Sequence, residues 1–214
     1  MDTLEPLPPG QVKAARIAVT AVFFIHGAAL SGIASFLPVI KDRLHLSDSG
    51  IGSSIMFSPL GAVVALPLLG KLFAKFGTRR VLTWTIVGLC LSIPLVVSAQ
   101  THWLLKLALL VCGALGASSD AAMNSVAVAV QRLYPKPFMS SSHGFWSLGG
   151  FAGAGLVALT RNFGVEPAAH VSVVTALLFA GLWLAESRLL PHENTSSEES
   201  PSMALPRGPL VFIG

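Results

Sequence analysis

The chain has 214 residues, of which 53% are hydrophobic and only 11% charged, with a formal net charge of +4. Soluble domains carry about 25% charged residues, so this composition excludes an ordinary water-exposed surface. The positive balance does not mark a nucleic-acid binder, because the Lys and Arg residues sit in short connections between apolar blocks and not in one aromatic-interleaved patch.

Residues 1–16 contain Asp2, Glu5, Pro6, Pro8 and Pro9. A cleaved signal peptide starts with basic residues and has an apolar run of about 7–15 residues. Neither feature fits, so the first apolar block is expected to be retained and residues 1–16 to form a cytoplasmic tail. Six apolar blocks follow: Ile17–Ile40, Ser49–Gly70, Val81–Ala99, Leu104–Val130, Ser140–Thr160 and Ala168–Ala185. At 1.5 Å rise per residue each is long enough to cross a hydrocarbon core of about 30 Å. They are rich in Gly, Ala, Ser, Leu and Val, and polar or Pro-containing connections separate them. Unpaired strand edges cannot sit in lipid, so residues 17–185 are predicted to be an all-α integral membrane bundle of six helices. Residues 186–208, with Glu193, Glu198 and Glu199, read as a polar cytoplasmic linker. Residues 209–214 turn apolar again, like the first turn of a seventh helix, and the chain reads as truncated there.

The orientation follows from the basic residues. With the N-terminus inside, Lys13, Arg16, Lys71, Lys75, Arg79, Arg80, Arg132, Lys136, Arg188 and Arg207 are cytoplasmic, against Lys41, Arg43, Lys106 and Arg161 outside. This asymmetry predicts a multi-pass protein of the inner (plasma) membrane with a cytoplasmic N-terminus. Trp84, Trp103 and Trp183 fall near span ends, where amphipathic rings anchor at the headgroups. Cys90 and Cys112 lie inside apolar blocks without metal-ligand spacing and read as small buried hydrophobes, so neither a disulfide nor a metal site is expected. No cofactor is expected either.

The fifth block carries Gly149, Gly150, Gly153 and Gly155, a small-xxx-small pattern that lets two helix backbones approach closely, so a packing role is expected. Pro38, Pro59, Pro67 and Pro94 lie within or near the ends of blocks, where each removes a backbone hydrogen bond and can kink a helix. The second connection reads Gly70, Lys71, Leu72, Phe73, Ala74, Lys75, Phe76, Gly77, Thr78, Arg79, Arg80. Its two glycines permit a tight reversal and its cations hold it on the cytoplasmic face.

In Gly70, Leu72, Gly77 and Arg79 or Arg80 this connection resembles the loop between helices two and three of the major facilitator superfamily. Ala74 stands where relatives carry an acid. Asp120 to Gly150, reading D-A-A-M-N and then S-S-S-H-G-F-W-S-L-G-G, is similar to a largely uncharacterised bacterial branch near the fucose-permease-like proteins. The fourth helix lacks the Arg of many proton-coupled relatives, and Gln131 replaces an acid expected in this branch. The resemblance implies the N-terminal six-helix half of a transporter, with a 3+3 inverted repeat and a midplane site shared with a second, C-terminal half.

Within the spans the ionisable residues are His26, Asp120 and His143. A buried Asp costs about 2.5–3.5 kcal/mol on insertion scales and therefore faces a cavity or a partner. Asn124 follows Asp120 at i+4 and shares its face. His26 lies nine residues inside the start of its span and Asp120 ten from the end of its own, which places both about 14–15 Å deep. In the family the first and fourth helices line the central cavity, so His26, Asp120 and Asn124 are candidates for the substrate or proton path. The competing reading of the pair is a structural polar contact between two helices. His143, a few residues into the fifth span, is read as a gating or structural contact.

The function implied is secondary transport of an unidentified small solute, with a proton as candidate co-substrate and the lipid bilayer and a missing C-terminal half as partners. The alternative is a non-transporting membrane fragment or interaction module. An intramembrane serine protease would need a Gly-x-Ser-Gly turn, which is absent, and nothing near Ser147 and His143 would orient a base, so no catalytic residues are assigned.

Overall fold

A computed structural model of the chain describes residues 8–189. It contains α1 (Pro9–Arg43), α2 (Asp48–Ile55), α3 (Phe57–Phe76), α4 (Thr78–Val97), α5 (His102–Leu133), α6 (Met139–Asn162) and α7 (Pro167–Glu186). These make six spans, because α2 and α3 form one rod interrupted at Met56. Pro59 accounts for the break: it has no N–H, and its ring crowds the carbonyl four residues back, that of Ile55. Residues 1–7 of the expected tail, the linker from 190 to 208 and the apolar stretch 209–214 lie outside the described residues.

Pro9 to Arg16, assigned to a tail from sequence, are the first two turns of α1. Pro9 occupies the first helical position, where its fixed φ suits the helix and the missing N–H would have had no partner. At two other helix starts, those of α5 and α2, Thr101 Oγ1 accepts from Leu104 N–H at 3.2 Å and Ser47 Oγ accepts from Gly50 N–H at 3.1 Å. Each satisfies a backbone donor that the helix itself leaves open. Five of the spans combine the length and apolarity needed to cross a membrane. The sixth, α6, has the length, at 24 residues, but is diluted by Gly, Ser and Thr. Those small residues form the seam by which α6 packs on α1.

The helix pairs with the most extensive packing are α1 with α6 and α3 with α5, and both rest on glycine at matching places. A Cβ at Gly27 would lie 2.1 Å from the Trp146 carbonyl oxygen, and one at Gly149 would lie 2.1 Å from that of Phe24. In the second pair, a Cβ at Gly113 would lie 2.0 Å from the Ser58 carbonyl oxygen and one at Gly61 would lie 2.0 Å from that of Leu110. The contacts correspond residue by residue. Gly27 and Gly113 each follow Phe24 or Leu110 by three, while Phe57-Ser58-Pro59-Leu60-Gly61 matches Phe145-Trp146-Ser147-Leu148-Gly149. The first three spans are thus repeated by the last three, as two crossings built on one pattern. Gly153 extends the first crossing, since its Cβ would meet Ala28 O at 2.3 Å.

The core lies around α1, which contacts α4, α5, α6 and α7. Its Val22, Phe23, Ala29, Phe36 and Ile40 are fully enclosed together with Ile86 and Leu89 of α4 and Leu105 and Met123 of α5. By contrast α3 exposes Val63, Val64, Leu66 and Leu68. Apolar side chains on the outside are the expected state where the surrounding solvent is lipid.

Candidate functional site

His26 is 1% exposed and stands in α1 where α5 and α6 both pass close. Its Nε2 lies 3.1 Å from the Gly116 carbonyl oxygen of α5, and its Nδ1 lies 2.9 Å from Nε1 of Trp146 on α6. The partners fix the tautomer. An indole N–H only donates, so Nδ1 accepts; a carbonyl only accepts, so Nε2 carries the hydrogen. This His26 is a neutral imidazole with both nitrogens occupied. Adding a proton would set an Nδ1–H against the indole N–H, two donors facing one another.

Asp120 lies on α5 one turn beyond Gly116, so it neighbours the His26 contact without joining it. Its side chain is exposed, and among the described residues its carboxylate makes no hydrogen bond or ion pair. Asn124 Nδ2 donates to the Asp120 backbone carbonyl at 2.9 Å. Half-buried Asn124 therefore sits on the same face of α5, tied to the helix and not to the carboxylate. His143 is exposed and meets the Phe23 ring edge-on, with centroids 5.1 Å apart.

Sequence reasoning missed Trp146 and Gly116. Three tryptophans fall near span ends, but Trp146 lies well inside α6, and a Trp N–H in an apolar setting seeks an acceptor. That was the available signal. The repeat sharpens it: Cys112 and Ser58 occupy the places of His26 and Trp146 at the second crossing, so the imidazole–indole pair belongs to one crossing alone.

At the helix ends the loop motif divides by role. Gly77 adopts φ 79° and stops α3, while Gly70 lies inside α3 with open space where a Cβ would point. One glycine, not two, makes the reversal, because α3 continues to Phe76. Leu72 is half-buried and Arg80 exposed. Arg79 Nη2 donates to the Glu186 carbonyl at 2.8 Å and lies 3.9 Å from Glu186 Oε1. A cation at the C-terminus of α7 also favours the negative end of that helix dipole. Gln131, where an acid was expected, closes the α5–α6 connection by accepting from Phe138 N–H at 2.7 Å and donating to Lys136 O at 3.1 Å. On the α6 seam, Gly149 and Gly153 touch α1 backbone, and a Cβ at Gly150 would lie 2.9 Å from Ser31 Oγ.

Six spans in two matching sets of three, packed through glycine and carrying an open carboxylate midway along the fourth, define a multi-pass membrane protein of the transporter type. The chain belongs to the Major Facilitator Superfamily, whose profile matches residues 19–213. It is 34% identical over 199 residues to an uncharacterised MFS-type transporter of Yersinia pestis, covering 93% of this chain and 52% of that protein. It is 31% identical to an uncharacterised transporter of Sinorhizobium fredii, covering 92% of this chain and 52% of that protein. A class E tetracycline resistance protein of Escherichia coli is 27% identical over 179 residues, covering 78% of this chain and 42% of its own length. The chain spans about half the length of the curated relatives it matches.

Proposed function

We propose that the six-helix bundle is one half of a secondary transporter for a small solute, that it works against a second six-helix unit, and that Asp120 supplies a proton- or substrate-binding carboxylate on the path between them. The observation that carries this reading is the open Asp120 side chain, placed midway along α5, whose carboxylate makes no hydrogen bond or ion pair among the described residues. A carboxylate left against lipid costs about 2.5–3.5 kcal/mol, so a water-filled path is the setting that accommodates it. The relatives support a second unit, since the matched region fills 52% of two of them. Asn124 extends the same face as an uncharged donor. His26 is assigned a positioning role, because its nitrogens are engaged by Trp146 and Gly116. The excess of basic residues in the connections favours a cytoplasmic N-terminus, in the inner membrane.

The test uses everted vesicles containing the chain with its second unit and a fluorescent dye that reports proton movement. Solutes from a chemically diverse panel are added, and Asp120→Asn is compared with the parent at matched expression. The parent should give a solute-dependent dye response and the variant none. An undiminished response in Asp120→Asn would remove the carboxylate from the path, and no response to any solute in the parent would count against transport itself.

A further inference from the structure

The repeat departs from symmetry also in how its outer helices close over the first helix of the opposite set. The gap between α3 and α4 over α5 is filled, with Leu115 reaching the place of a Cβ at Gly88, whereas α6 and α7 touch each other less and leave a groove over α1. This groove encloses about 610 Å³, within the range of about 300–1,000 Å³ typical of small-molecule pockets. Its walls are apolar, among them Ile17, Phe24, Phe145, Leu156 and Leu177. Polar groups gather at one end, where Arg16, Thr20 and Ser141 line it. The Arg16 guanidinium lies 5.0 Å over the Tyr134 ring, and no carboxylate among the described residues pairs with it.

The groove therefore has a cationic mouth at the N-terminal end of α1 and an apolar body running inward from it. From Arg16 to Ala28, both lining residues, the body follows α1 for about 18 Å at 1.5 Å per residue. One leaflet of hydrocarbon is about 15 Å deep, half of a core of about 30 Å. We propose that this groove holds one acyl chain of an anionic phospholipid from the leaflet at the N-terminal end of α1, with the headgroup phosphate at Arg16. The apolar walls exclude a hydrated solute, the length matches a single leaflet, and a guanidinium at the membrane surface that no carboxylate among the described residues pairs with selects negative charge. The proposal is independent of the transport reading.

The test reconstitutes the chain in phosphatidylcholine vesicles containing a minority of phosphatidylglycerol, with one or the other lipid carrying a diazirine on its acyl chain. After photolysis the adducts are mapped by mass spectrometry. Phosphatidylglycerol adducts should concentrate on Phe145, Leu156 and Leu177 over the exposed Val63, Val64 and Leu68 of α3. Filling the groove with Ala152→Leu and Gly181→Leu should lower them several-fold, and there is room, since a Cβ at Gly181 meets only the flexible end of Ile25 at 3.3 Å. Arg16→Gln leaves the groove intact and should lower the preference for phosphatidylglycerol over phosphatidylcholine about fivefold, the effect of one surface cation. Even labelling of α3 and the groove, unchanged labelling in the filled variant, equal labelling by the two lipids in the parent, or a dilution-sensitive second copy shielding the groove would each overturn the proposal.

Discussion

Removing the indole N–H with Trp146→Phe tests the assignment of His26 directly. The variant keeps the aromatic bulk and leaves Nδ1 of an almost fully buried imidazole without its donor at 2.9 Å. A buried acceptor left unpaired costs about 1–3 kcal/mol in soluble proteins. Interhelical hydrogen bonds in membranes average about 0.6 kcal/mol with a maximum near 1.7, because the unfolded state in lipid also finds partners. The His26–Trp146 bond joins α1 to α6 in the interior, so a coupling energy of about 1 to 1.7 kcal/mol is expected. A double-mutant cycle of His26→Leu and Trp146→Phe, followed by reversible unfolding in mixed micelles, measures it. The matching cycle of His26→Leu with Asp120→Asn should give a smaller coupling, of about 0.5 kcal/mol or less, because the two side chains interact only through space and share no hydrogen bond. Coupling to Asp120 together with additivity toward Trp146 would refute the assignment and restore a His26–Asp120 site.

The glycine crossings predict a sharp contrast: Gly61→Ala and Gly113→Ala each push a methyl to 2.0 Å from a carbonyl oxygen and should destabilise by about 1–3 kcal/mol or more. Gly155→Ala, with nothing within 4 Å of its Cβ, should stay within about 1 kcal/mol of the parent in the same unfolding assay. For topology, exposed Ala74 and Ser49 are the positions to convert to cysteine, since the native Cys90 and Cys112 are buried and will not compete for reagent. A membrane-impermeant maleimide applied to intact cells should label Ser49→Cys and spare Ala74→Cys; the reverse pattern would invert the proposed orientation. Arg79→Gln should loosen the end of α7, seen as faster deuterium exchange in its last turn, because the Glu186 carbonyl loses its 2.8 Å donor. Unchanged exchange there would show that the contact does not hold the helix end.

The spans were legible because a hydrocarbon solvent imposes one rule on every stretch, and the six blocks coincide with helices to within a few residues except at the start of α1 and at the end of α3, which runs six residues past Gly70 to Phe76. That start was missed because Gln11, Lys13 and Arg16 ended the apolar block before the helix ended. The break at Met56 was readable in principle from Pro59, four residues after Ile55. The polar interior was harder. Equal depth suggested that His26 and Asp120 meet, but depth fixes only the height along each helix. Successive residues turn by 100°, so azimuth depends on how the helices pack, and packing turned His26 toward Gly116 and Trp146. Similarly, the clustered Gly149, Gly150 and Gly153 of α6 announce a seam, which the expected fourth member Gly155 does not join, whereas Gly27, Gly61 and Gly113 stand singly among apolar residues. Their role appears only when the partner backbone is in view.

The crossings also bear on how such a half would move. A glycine that receives a carbonyl oxygen where its own Cβ would be forms a notch, and two reciprocal notches in one helix pair oppose sliding along either axis. Gly27 and Gly149 form such a set between α1 and α6, and Gly113 and Gly61 form another between α5 and α3. The imidazole–indole bond adds a directional tie across the first set and carries it to Gly116 of α5, so the two pairs are joined to each other. At the end of the bundle where α3 gives way to α4, Arg79 fastens that junction to the last turn of α7. Shear between these helices would have to break a close backbone contact and a buried hydrogen bond together. The bundle is therefore built to turn as one body, which is the property required of each half in the proposed transport cycle. The open Asp120 would then ride on this rigid frame and change its exposure by rotation of the whole, without rearrangement of the helices around it.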